Sequence, residues 1–97
     1  MKKAAAVFAM ALSASVAAES DRDTTCQAIS GHAERIMQIR QHGGNLPDAM
    51  KSAMGSELLE EMVMEAYNKP NYQTERHIER TVNEFANRWA RICYQAL

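Results

Sequence analysis

The sequence predicts an all-α protein, a small four-helix bundle with a short second helix, stapled by one disulfide. Three observations predict it. Ile78, Val82, Phe85, Trp89, Ile92 and Ala96 recur at steps of four and three, the mark of one buried helical face. No segment alternates polar and apolar residues in the manner of a strand, and no internal repeat or low-complexity stretch interrupts the pattern. The chain has two cysteines, Cys26 and Cys93, near opposite ends of the folded region.

The first 18 residues read as an export signal. Met1-Lys2-Lys3 is a short basic start, Ala4 to Leu12 is uncharged and apolar, and Val16-Ala17-Ala18 presents small residues for cleavage after Ala18. A short membrane anchor is the alternative, but the run falls well below the ~20 apolar residues needed to cross a bilayer. Residues 19–97 then form a single helical domain, expected in the periplasm or outside the cell. No second apolar run of spanning length follows. Cleavage removes Lys2 and Lys3 and leaves 79 residues with nine Lys+Arg against 12 Asp+Glu, a formal charge of −3. A mildly acidic domain is a poor partner for nucleic acid. A domain this small has a limited core and profits from a staple.

In an exported chain, two cysteines are most simply a Cys26–Cys93 disulfide; two free thiols or an intermolecular bridge are the alternatives. No CxxC motif supports thiol–disulfide catalysis. The bridge requires Cα atoms within about 7 Å. An up-down-up arrangement would separate the two ends by roughly 25 Å, at about 1.5 Å per residue. An even number of helical passes is therefore expected, with the first and last helices antiparallel or crossing near the bridge.

In order, Glu19 to Asp23 reads as a loose tail. Thr24 and Gln27 make a capping box for helix one, which runs to about Gln41 with Cys26, Ile29, Ala33, Ile36 and Met37 inward. Gly31 weakens the helix slightly and leaves room for close approach of a neighbour. Gly43-Gly44 ends this helix, with Arg40 and His42 near its negative end. Residues 45–55 supply a short second pass, opened by Pro47, with Leu46, Met50 and Met54 spaced by four. Gly55 stops it and Ser56 caps helix three, Glu57 to about Asn68, with Leu58, Leu59, Met62, Val63 and Ala66 inward. Pro70 blocks further helix, and Thr74 caps the fourth.

Candidate chemistry is sparse. His32, His42 and His77 lack zinc-ligand spacing, and no metal or cofactor is expected. Met37, Met50, Met54, Met62 and Met64 offer thioethers for Cu(I), yet four of the five fall on core stripes where methionine fills gaps. Ser30, Ser52 and Ser56 lack a nucleophile elbow. Glu57, Glu60, Glu61 and Glu65 crowd helix three, where acids favour the helix start. No catalytic residue is assigned, and the protein is expected not to be an enzyme. On helix four, Arg80–Glu84 and Glu84–Arg88 are spaced to pair, and the acids of helix three can lie opposite its arginines. Ile39, Met64 and Tyr94 fall off the inner faces; clustered, they would mark a partner-binding surface.

The leader, Cys26 near the start of helix one, the Tyr67-Asn68-Lys69-Pro70 break, and Trp89 with Cys93 on the last helix resemble small exported helical proteins of bacteria and phages. That resemblance covers most of the mature chain and implies no activity. A looser likeness is to periplasmic acid-stress chaperones, also small, helical and held by one disulfide. Their apolar client-binding segment has no counterpart that the sequence locates. The expected function is non-enzymatic binding of another protein of the periplasm or envelope, as an inhibitor, immunity or exclusion factor. An acid-activated chaperone is the alternative, and a small-molecule or metal carrier a third possibility.

Overall fold

The structure is a computed structural model that describes residues 2–97, with side chains from residue 18 onward. Four helices follow one another: α1 (Lys2–Gln41), α2 (Leu46–Lys51), α3 (Glu57–Tyr67) and α4 (Glu75–Ala96). The described residues contain no strand.

α1 begins far upstream of Thr24. It crosses residues 19–23 as helix, so the expected loose tail and the Thr24–Gln27 capping box are both corrected. The reason is composition. No Gly or Pro occurs before Gly31, and the alanine-rich start strongly favours helix, so nothing forces a new start at Thr24. The helix ends where the glycines predict. Gly43 has φ +85°, its N–H donates to the Arg40 carbonyl, and the Gly44 N–H donates to the Ile39 carbonyl. This paired closure satisfies two orphan carbonyls of the last turn.

α1 and α4 form the largest helix interface and run antiparallel. Cys26 and Cys93 are disulfide-bonded with Cα atoms 5.5 Å apart. At the other end, Gln41 bonds to Pro70 and Tyr72, just before α4 starts. α3 packs on α1 and α2, and α2 packs on α1 and α3. The core takes Ala33, Ile36 and Met37 from α1, Ala49 from α2, Leu59, Met62, Val63 and Ala66 from α3, and Val82, Phe85, Ala86 and Trp89 from α4. Ile29, Ile78 and Ile92 pack partly buried against it, whereas Ala96 is exposed at the helix end.

The middle of the chain departs from expectation in three places. α2 ends at Lys51, and Met54 sits in the following turn with φ +50° and 77% exposure. Met50 and Met54 therefore share no helix face; Ala49 and Ala53 are the buried residues there. Leu58 is 41% exposed, because the buried arc of α3 runs Leu59, Met62, Val63, Ala66, and Leu58 lies outside it. Gly31 faces open space, with nothing near enough to need its missing side chain. The caps stand as read: Ser56 accepts from the Leu59 N–H and Thr74 from the His77 N–H.

The longest dimension is 66 Å, close to the ~60 Å length of a 40-residue helix. Leu97 borders Ala18, Glu19 and Arg22, so the stretch of α1 before residue 18 extends past the end of α4.

Candidate functional site

The outer face of α3 is built by its sequence phase. With Leu59, Met62, Val63 and Ala66 committed to the core, the 3.6-residue repeat turns Glu57, Glu61 and Asn68 directly outward. Leu58 and Met64 then flank that acidic row, about 120° apart around the helix. Met64 is 50% exposed. Among the described residues, four large apolar side chains stand exposed: Met54, Leu58, Met64 and Leu97. Three of them lie on α3 or in the turn leading into it. Leu58 and Met64 stand beside the charged side chains of Glu57 and Glu61.

A shallow groove of about 980 Å³ runs along this face. Its acidic lining comes from Glu57, Glu60, Glu61 and Glu65, and its apolar lining from Leu58, Met64, Met50 and the edge of Trp89. Trp89 is only 6% exposed and packs edge-on to Phe85 at 6.4 Å between centroids. Its indole N–H finds no acceptor among protein groups. Glu65 is the one acid of the row in an ion pair: Arg88 of α4 donates through Nε at 2.5 Å and Nη2 at 3.2 Å. That bond raises the Arg88 pKa further, the hydrogen bond first and the carboxylate charge second. The expected Arg80–Glu84 and Glu84–Arg88 pairs do not form; Arg88 reaches across to α3 instead. Glu57, Glu60 and Glu61 have no ion-pair partner among the described residues.

The end of α3 is anchored by polar groups. The Tyr67 hydroxyl donates to the Gly44 carbonyl, and Arg40 lies 5.1 Å over the Tyr67 ring while donating to the Lys69 carbonyl. Burial raises the Tyr67 pKa, the Arg40 charge opposes that, and Asp48 adds to it. Gln41, only 4% exposed, donates to the Pro70 carbonyl at 2.7 Å and accepts from the Tyr72 N–H at 2.8 Å. Asn71 donates to the Arg40 carbonyl at 2.9 Å, satisfying the end of α1.

The three residues singled out for partner binding do not share a patch. Met64 lies in the α3 groove. Ile39 is half-buried, packs against the core and sits against Gly44, where it closes the end of α1. Tyr94 is half-buried at the disulfide end: Arg22 lies 5.2 Å over its ring and donates to its carbonyl at 2.7 Å. A hydrogen bond to Asp23, then partial desolvation, raise the Tyr94 pKa, with the Arg22 charge opposing. Leu58, Met50 and Trp89 are groove residues that the sequence assigned to the core. Only the phase of Leu58 against Leu59, Met62 and Ala66 carried a signal.

The histidines are separate. His42, just past α1, bonds the Gln38 carbonyl in the last turn of that helix, and His77 contacts Thr74 and the Tyr72 ring. Among the described residues no group of three or more His, Cys, Asp or Glu side chains is placed to hold a metal ion. No helix among them is long and apolar enough to cross a membrane. Comparison with protein families, curated proteins and solved structures finds no match to this chain.

Proposed function

We propose that this chain is an exported, non-catalytic protein that binds another protein, using a small four-helix bundle as its scaffold and the outer face of α3 as its contact surface. The supporting observation is that Leu58 and Met64, two of the four exposed large apolar residues described, stand on α3 beside an acidic row, with Met54 exposed in the turn before it. Ile39 and Tyr94 are replaced in this role by Leu58 and Met50, which line the same groove as Met64. An inhibitor, immunity or exclusion factor needs no reaction centre, only a rigid complementary face. Export agrees with the way residues before 18 extend past α4, because their removal leaves the Arg22–Tyr94 contact and the disulfide in place.

Photo-crosslinking in the native compartment tests this proposal. A photoreactive residue at Met64 should give one discrete protein adduct, and the same residue at exposed Arg35 on α1 should give none. No adduct from Met64 in correctly exported protein would refute it.

One observation favours the acid-activated chaperone as a second proposal. The Glu65–Arg88 pair ties α3 to α4, and low pH neutralises carboxylates. Release of α3 would uncover Met62 and Val63 as client-binding surface. Near-ultraviolet circular dichroism that is unchanged from neutral pH to strong acid would remove this alternative.

A further inference from the structure

We infer that the α3 groove receives a cationic amphipathic helix of a different protein, an inference that rests on the partner-binding proposal and gives the partner its chemistry. Glu57, Glu60 and Glu61 recur at helical steps along the groove and carry charge with no ion-pair partner among the described residues. Leu58 and Met64 border Glu57 and Glu61 on two sides, Glu60 lies just beyond Met64, and the Trp89 edge floors the groove toward α4. A helix laid along α3 meets this arrangement with one basic stripe flanked by apolar residues at three- and four-residue spacing. Opposite charge sets its orientation and speeds encounter, while contact with Leu58, Met64 and Trp89 holds it.

The other candidate occupants fit the charge less well. Among the described residues, a second copy offers no matching helix face. Its α3 face is equally acidic, and its α4 outer face mixes Arg76, Arg80 and Arg91 with Glu75, Glu79 and Glu84. None of the exposed large apolar residues lies on α4 before Leu97. Anionic lipid headgroups and nucleic acid are repelled by an acidic row.

The test uses the full chain, whose one tryptophan, Trp89, lines the groove and reports occupancy by fluorescence. The probe is a synthetic helical peptide of leucine and lysine at amphipathic spacing, without aromatic residues. Two controls accompany it: the same composition scrambled so that leucines share no face, and a version with glutamate replacing lysine. Saturable binding of the first peptide alone is expected. Replacing Glu57, Glu60 and Glu61 together by Gln should weaken it by about tenfold or more, equivalent to losing roughly 1.4 kcal/mol. Leu58→Ala with Met64→Ala should weaken it comparably. Because all five residues lie outside the core, circular dichroism should confirm that both variants keep their fold; if either does not, the wild-type salt dependence decides. Affinity should fall as salt rises and screens the row.

The proposal is overturned if the scrambled peptide binds equally, if the Glu→Gln variant binds undiminished, or if binding is insensitive to salt. Sedimentation showing self-association that the same substitutions abolish would also overturn it in favour of a second copy. A discrete crosslink at Met64 without peptide binding refutes the cationic partner and leaves protein binding intact. Peptide binding without any crosslink refutes the native partner instead.

Discussion

Gln41 is the only buried polar side chain among the described residues, and each end of its amide is used. It holds the 68–73 connection against the end of α1 and so sets where α4 begins. Gln41→Ala leaves the Tyr72 N–H and the Pro70 carbonyl without this partner. A loss of roughly 2–3 kcal/mol in chemical denaturation is expected. Gly31 gives the opposite result. It lies in the middle of α1, exposed and facing open space, so Gly31→Ala should stabilise by about 0.5–1 kcal/mol in the same measurement. The tyrosines predict a pH dependence. Tyr67 and Tyr94 both have pKa values raised above the ordinary 10.0, so the folded state holds their protons more tightly than the unfolded state. Their contribution is complete below the unfolded value and is lost as pH rises through the folded values. Denaturation midpoints should therefore fall above about pH 10, and less steeply in the Tyr94→Phe variant.

At the scale of elements, punctuation was the most legible part of the sequence. Gly43-Gly44, Ser56, Pro70 and Thr74 mark ends that the structure keeps, because each acts through local geometry. Gly44 adds a packing reason: a Cβ there would collide with the Ile39 side chain and approach its carbonyl oxygen at 3.0 Å. Gly44→Ala should cost about 1–3 kcal/mol by thermal or chemical unfolding. What the sequence hid was phase and competition. Leu58 beside Leu59 reads as two core residues, yet the eleven-residue α3 packs on α1 and α2 through a single arc that leaves Leu58 outside. Thr24-Thr25-Cys26-Gln27 spells a start signal, but an uninterrupted helix upstream makes it irrelevant. Arg88 had a same-helix acid four residues away and chose Glu65 across the interface. The candidate site was therefore half legible: the acids and Met64 were visible, whereas their grouping with Leu58, Met50 and Trp89 needed three dimensions.

For the whole molecule, the Cys26–Cys93 staple was readable from cysteine count and helix order, and it fixes the antiparallel α1–α4 pair. In the chain-entropy model, closing a loop with sequence separation 67 stabilises by roughly 4 kcal/mol. Replacing both cysteines by Ser should lower the unfolding free energy by about that amount, a large share for a domain of this size. The stretch of α1 before residue 18 makes the converse prediction. A chain beginning at Glu19 should unfold within ~0.5 kcal/mol of the full one, because the described core and the Arg22–Tyr94 contact lie downstream.

The linked sulfurs also make residues 26–93 a covalent ring. A protease that nicks the exposed bend at Met54 and Gly55 opens the ring without releasing a fragment. Both arms stay tethered at the sulfurs, and the arm that contains α1 loses only its peptide route to Pro70 and Tyr72, not its bonds to them. Such a nicked molecule would run as one species until a reductant frees the two pieces, a form of durability suited to a protease-rich environment.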